Sequence, residues 1–251
     1  MVHTRSKREI EKISKSCQIV ADTLIMLEDY VVDGACVSDL DKMAEEYIIS
    51  KGARPAFKGY MGFPSTLCVS IEDAVVHGIP GKNILKQGQI VGIDCGAELE
   101  GYYGDHARSF AVGEITLEKK KLLNVTKESL LKGIDQAIPG NYVGDIGKAV
   151  QDHAESNGFS VVRELVGHGI GTSLHEEPQI PNYGEAHQGY KLRSGMCIAI
   201  EPMINSGSRE VFTASDGWTI LTKDGQPSAH FEHTIAITEN GPKILSVGSN
   251  G

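Results

Sequence analysis

Hydrophobic positions recur along this chain at two periods, and the switches between them mark the elements. Ile10, Ile13, Cys17, Val20, Leu24 and Leu27 stand three or four residues apart between Ser6 and about Tyr30. That spacing is one stripe of an amphipathic helix. Leu40, Met43, Ala44, Tyr47 and Ile48 repeat it behind Ser38, a candidate N-cap, and Gly52 ends this second helix. β-rich runs follow at TLCVSI (66–71), QIVGID (89–94) and HARSFAV (106–112). The order then begins again, with a helix over 117–137 stopped by Pro139-Gly140 and another over 143–156 stopped by Asn157-Gly158. Strands are expected at SVVREL (160–165), MCIAIEPMI (196–204), WTILT (218–222) and HFEHTIAIT (230–238).

The recurrence extends to single residues. At a shift of 106, Gly34, Val37, Asp39, Leu40, Lys42 and Gly52 fall on Gly140, Val143, Asp145, Ile146, Lys148 and Gly158. Each half carries an HGI tripeptide, at His77 and at His168, followed by two acids in strand-like sequence. Those acids are Asp94 and Asp105 in one half, Glu201 and Glu232 in the other. The pattern predicts one domain over residues 1–251. Its internal halves, about 1–112 and 113–251, pack around a pseudo-twofold axis with their acids meeting at the centre.

Composition adds limits. A chain of 251 residues with 40% hydrophobic and 23% charged residues can bury a substantial core and is ordinary for a globular protein. It holds no apolar run long enough for a membrane span, and MVHTRSKREIEK is no signal peptide. Five scattered cysteines without a CxxC pair argue against a disulfide framework or zinc ribbon and fit the cytoplasm. A net charge of -9 argues against nucleic acid as a ligand.

The chemistry sits in the four acids. IVGIDCGAELEGYYGDHARSF reads as a hairpin turning near Leu99-Glu100, the midpoint of Asp94 and Asp105. A symmetric hairpin puts the two carboxylates opposite each other, with Cβ atoms roughly 4.5–5.5 Å apart. Like charges so placed require a shared proton or a cation, and a divalent metal neutralises more strongly. Glu201 and Glu232 repeat the anomaly among apolar strand residues, where unpaired acids are rarely buried. Blander readings stand beside these: a lone strand acid is usually an edge residue, GHGIG can mark only a turn, and HEEP (175–178) can open a solvated helix. Trp218, the only tryptophan, reads as core or as pocket wall.

Taken together, VVHGIP (75–80), IDCGAELEGYYGDHARSF (93–110), GHGIGTSLHEEPQIPNY (167–183), AIEPM (199–203) and FEHTIAIT (231–238) resemble type I methionine aminopeptidases. The resemblance covers nearly the whole chain, in order. It implies an α/β (α+β) fold of the duplicated "pita-bread" kind, an antiparallel sheet covered by helices. It implies two divalent ions (Mn, Fe or Co) on Asp94, Asp105, His168, Glu201 and Glu232, with Asp105 and Glu232 bridging. Glu201 is then the proton shuttle, His175 the oxyanion donor, and His77 a hydrogen-bonding partner of the substrate backbone. Tyr60, Phe63, Cys68, Leu174 and Trp218 form the methionine pocket. Phe57, Phe63 and Leu174 stand where the commonest bacterial pattern has cysteine, tyrosine and phenylalanine, which changes the pocket's shape and leaves the ligands untouched. The absence of a cysteine-rich extension and of an inserted helical subdomain points to the short bacterial form. The implied activity is removal of the initiator methionine from nascent polypeptides with a small second residue, by a monomer near the ribosome. The rivals are a proline-directed aminopeptidase or prolidase of the same fold, and a non-catalytic binding protein that has lost its metals.

Overall fold

Ser6 and Glu9 close a capping box at the start of the first helix, α1 (Lys7–Glu28): Ser6 N donates to Glu9 Oε2 at 2.8 Å and Glu9 N to Ser6 Oγ at 3.4 Å. The computed structural model describes residues 2–249; Met1, Asn250 and Gly251, the ends of the expected 1–251 domain, lie outside the described residues. The apolar stripe of α1, with that of α2 (Val37–Ser50), buries against a long hairpin of strands Ile90–Leu99 and Tyr102–Ala111. The closest approach is at Gly104, where a Cβ would stand 2.4 Å from Cys17 N. Successive strand residues face opposite ways. Gly104 therefore meets the helix, and Asp105 points away from it, toward the middle of the molecule.

The second half repeats the plan. Helices α3 (Leu117–Asp135) and α4 (Val143–Ser156) cover a five-stranded sheet ordered Gly241–Ile244, His233–Thr238, Cys197–Ile200, Gly167–Gly169 and Glu176–Ile180. Leu130, Ile134, Ile146, Ile198, Ile200 and Ile235 make the apolar layer between them. In the first half, strands Leu67–Ile71 and Arg54–Pro55 both pair with Ile90–Leu99 on its edge away from Tyr102–Ala111, and every pairing in both sheets is antiparallel. This is the duplicated pita-bread architecture.

The duplication is visible in hydrogen bonds as well as in residues. α2 and α4 are 14 residues each and begin at Val37 and Val143, the same shift of 106 as the glycines before them. Gly34 N donates to Leu85 O (2.9 Å) and Gly140 N to Leu192 O (3.0 Å). Leu85 N returns to Ala35 O (2.8 Å) and Leu192 N to Asn141 O (2.7 Å). From these leucines the chains LKQGQIVGID (85–94) and LRSGMCIAIE (192–201) run in step, so Asp94, within strand Ile90–Leu99, and Glu201, just past strand Cys197–Ile200, occupy equivalent places.

Several expectations shift. α2 starts behind Cys36 rather than at Ser38, because Val37 N and Ser38 N already find Asn83 O and Gly81 O at 2.9 Å each. SVVREL keeps only Ser160–Val161 as strand, and WTILT only Ile220–Thr222, since Trp218 N and Thr219 N turn to Asp216 Oδ1 (both 2.9 Å). MCIAIEPMI breaks after Ile200 and HFEHTIAIT between His230 and His233. Pro202 offers no N–H to a ladder, and both breaks fall where an acid leaves the sheet for the centre. HEEP opens no helix: Glu176–Ile180 is a strand.

Candidate metal centre and substrate pocket

The hairpin fixes the first pair of acids. Its two turn residues, Glu100 and Gly101, both have left-handed φ (52° and 82°), as the tight primed turns of hairpins require. The turn thus lies one residue beyond the expected Leu99-Glu100, and the register pairs Asp94 with Ala107 and Gly96 with Asp105. The carboxylates are diagonal neighbours on one face, not directly opposed. The other half brings His168 from strand Gly167–Gly169, Glu201 just after Cys197–Ile200 and Glu232 just before His233–Thr238. Thr234 locks the halves together, its Oγ1 donating to Asp105 O (2.8 Å), while Glu232 N donates to Ala107 O (2.9 Å).

Two triads of ligand atoms result, Asp94–Asp105–Glu232 and His168–Glu201–Glu232, each within 4.8 Å internally and sharing Glu232. Asp105 also approaches His168 and His175 within that limit. As they stand, these groups are mismatched. The His168 Nδ1 lies 2.9 Å from Gly169 O. A carbonyl only accepts, so Nδ1 holds the proton and a bare Nε2 faces Glu201 Oε1 at 3.5 Å and Asp105 Oδ2 at 3.9 Å. Asp94 Oδ1, Asp105 Oδ1 and Glu232 Oε1 are buried without a hydrogen-bond partner. Burial lowers His168 to about 3, aided by the neighbouring His175, so protonating the imidazole does not neutralise the acids. Burial raises Asp94 to about 7 and Glu201 to about 8. It also lifts Asp105 and Glu232 well above the carboxylate range, with the adjacent carboxylates adding to it. Acceptors facing acceptors in a buried space call for a cation, and this oxygen-rich donor set with one imidazole fits a divalent metal.

One cavity of about 170 Å³ holds every residue expected at the site: the five ligands, His77, His175, Tyr60, Phe63, Cys68, Leu174 and Trp218. Phe57, Phe63, Cys68 and Leu174 are buried in one apolar cluster, with Trp218 packed edge-on to Phe63 at 5.1 Å between centroids. Trp218 is therefore a pocket wall. Phe57 reaches it over Gly96, where a Cβ would lie 2.5 Å from Phe57 Cε1. His77 adopts left-handed φ (59°) before Gly78, whose missing Cβ avoids Val69 O by necessity (2.1 Å). His77 and His175 are both lowered to about 4 by burial and stay neutral, and Tyr60 Oη stands 2.9 Å from His175 Nδ1.

The profile of metallopeptidase family M24 matches residues 11–239. The chain belongs to this family. Over 246 residues it is 50% identical to methionine aminopeptidase 1 of Bacillus subtilis, covering 98% of this chain and 99% of the relative. It is 48% identical over 247 residues to the methionine aminopeptidase of Clostridium perfringens, with 98% and 99% covered. The crystal structure of methionine aminopeptidase from Thermotoga maritima superposes with a TM-score of 0.97 at 45% identity, covering 98% of this chain and 100% of that one.

Two residues at the site went unread in the sequence, one beside the acid cluster and one on the cavity lining. His230 is buried, with Nε2 unpartnered and 3.7 Å from Glu201 Oε2. The signal was its place two residues before Glu232. Met61, exposed at the pocket rim with left-handed φ (49°), carried no such signal.

Proposed function

We infer that this M24 metallopeptidase is a methionyl aminopeptidase, hydrolysing the bond after an N-terminal methionine. The observation that carries the reading is a single cavity of about 170 Å³ with the acids and imidazoles at one end and Phe57, Phe63, Cys68, Leu174 and Trp218 at the other. The whole of it, the part beside the acids included, is close to the roughly 150 Å³ of an apolar cavity that accepts one benzene, so its apolar end has room for no more than one side chain. Its Phe63 and Trp218 rings suit a thioether, which packs well against aromatic edges. A side chain seated there leaves its own carbonyl beside the acids.

Two divalent ions of Mn, Fe or Co type would be held by Asp94, Asp105, His168, Glu201 and Glu232, supplying a polarised carbonyl and an acidified water when bound. Around them the chain's residues divide the work. Glu201, 15% exposed to the cavity, takes a proton from the attacking water and passes it to the leaving amine. His175, neutral and with Nδ1 occupied by the Tyr60 hydroxyl, turns an Nε2–H toward the developing oxyanion. His77, also on the cavity wall, hydrogen-bonds the substrate backbone near the scissile amide. Phe57, Phe63, Cys68 and Leu174 exclude water from the side-chain pocket.

The substrates on this reading are nascent polypeptides with a small second residue, met at the ribosome by a monomer in the cytoplasm. All five cysteines are free, as a reducing compartment keeps them, and no helix among the described residues is long and apolar enough to cross a membrane. The test is a panel of Met-Ala-Ser, Leu-Ala-Ser and Ala-Pro-Ala peptides with metal-loaded protein. Release of methionine with little from the others supports the reading. Preference for the proline peptide replaces it with a proline-directed one.

A further inference from the structure

We propose that Arg5, in the segment ahead of α1, is a positioning residue for this reaction, clamping the loop 171–175 that sets His175 and Leu174 in the cavity. The proposal rests on the functional reading above. The loop has no regular secondary structure, and it carries one proposed oxyanion donor and one pocket wall. A single carboxylate shapes it. Glu176 Oε1 accepts from Thr172 N (2.9 Å), Thr172 Oγ1 (3.2 Å) and Ser173 N (3.1 Å).

That carboxylate is only 10% exposed, and a charge so buried needs a counter-ion. Arg5, itself 7% exposed, supplies it, with Nη2 donating to Oε1 at 2.6 Å and Oε2 at 2.5 Å. Its guanidinium lies flat in space that only a glycine leaves: a Cβ on Gly171 would stand 2.5 Å from Nη2 and 2.8 Å from Cζ. The backbone is pinned too, Arg5 N donating to Gly195 O at 2.7 Å, just ahead of strand Cys197–Ile200, which leads into Glu201. Gly171 O accepts from Tyr103 N at 2.8 Å, on the strand that carries Asp105. The clamp therefore ties the N-terminal segment to the loop and to two of the strands that bring acids to the centre. A lysine cannot replace it fully, since it offers a point charge where a flat guanidinium fits against Gly171.

A buried ion pair adds little net stability of its own, so a purely structural Arg5 and a positioning Arg5 predict different things. In full-length, Mn(II)-saturated protein, Arg5→Ala is expected to lower kcat on Met-Ala-Ser by about 10²-fold, the scale of a misplacement of roughly 1 Å. Mn(II) affinity, measured by calorimetry, should hold within a few-fold, and Arg5→Lys should recover part of the rate. Added ethylguanidinium, but not ethylammonium, should restore part of kcat in Arg5→Ala. A wild-type kcat in Arg5→Ala, or a loss that follows metal affinity alone, overturns the proposal. If Arg5→Ala does not fold, Glu176→Gln serves instead: it removes the charge that Arg5 answers, and an unchanged kcat there is equally fatal. Hydrogen exchange at the Thr172 and Ser173 amides reads the clamp without turnover. Faster exchange in the folded variant is expected, and unchanged protection refutes the clamp. A wild-type enzyme that releases no methionine refutes the functional reading, with the exchange result still deciding the clamp.

Discussion

Stripping the metal should make this protein sensitive to alkali in a way that one side chain controls. Glu201 has an ordinary value of 4.5 and is pushed up to about 8 by burial. A carboxyl raised on folding holds its proton more tightly in the folded state, so it imposes no penalty below about 4.5. Stability is lost progressively as pH rises toward about 8. At ~1.4 kcal/mol per pH unit, the part of that window from about pH 5 to 8 is worth on the order of 4 kcal/mol. For a chain of this size 1 kcal/mol moves Tm by roughly 2–4 °C, so the expected effect is roughly 10 °C. Glu201→Gln removes the ionisation and keeps the shape. The assay is thermal unfolding of both proteins in metal-free buffer from about pH 5 to 8.5. The Tm of Glu201→Gln relative to wild type should climb by roughly 10 °C across that range. Saturating Mn(II) should reverse the order, since a bound cation stabilises the ionised cluster and the wild type keeps the fuller ligand set. A Tm difference that stays flat with pH would falsify the claim that buried, unneutralised carboxylates define this site.

Other outcomes can be checked on the same material. Asp105→Asn should abolish metal-supported turnover, because Asp105 faces Asp94, Glu232 and His168 at once; a near-normal rate contradicts the shared-ligand arrangement. His175→Ala should lower kcat by roughly 10²–10³, the scale for one oxyanion donor, and an unchanged kcat removes it from the chemistry. Trp218→Ala should narrow the preference for Met-Ala-Ser over Leu-Ala-Ser, read as a ratio of kcat/KM, because it takes away the edge contact with Phe63. Selectivity that survives intact returns Trp218 to a packing role.

Much of this arrangement was legible in the sequence, and the parts that were not share a physical cause. α2 and α4 were clear because a helical stripe ending in glycine depends on local residues only. The hairpin's existence was clear for the same reason, but its register was not. That register hangs on Glu100 and Gly101 taking left-handed φ, which moved Asp94 and Asp105 from opposite to diagonal. Strand Gly167–Gly169 is three residues, two of them glycine, and draws its order from neighbours distant in sequence. The runs around Glu201 and Glu232 read as unbroken strands because apolar alternation cannot show where a ligand must leave the ladder. Tyr60, Phe63, Cys68 and Leu174 came from resemblance alone, since nothing local announces that loops far apart close on one cavity. Arg5 is one charge among several in MVHTRSKREIEK with no signal of its own in the sequence, and only its 7% exposure against Glu176 separates it from Arg8.

The account rests most directly on the claim that the central acids and His168 hold the ions on which methionine release depends. We would titrate Mn(II) into stripped protein while following methionine release from Met-Ala-Ser and the occupancy of the site. Rate and occupancy should rise together and saturate together, and both should be absent in Asp105→Asn. Full activity in the stripped protein, or occupancy without any release, would contradict it.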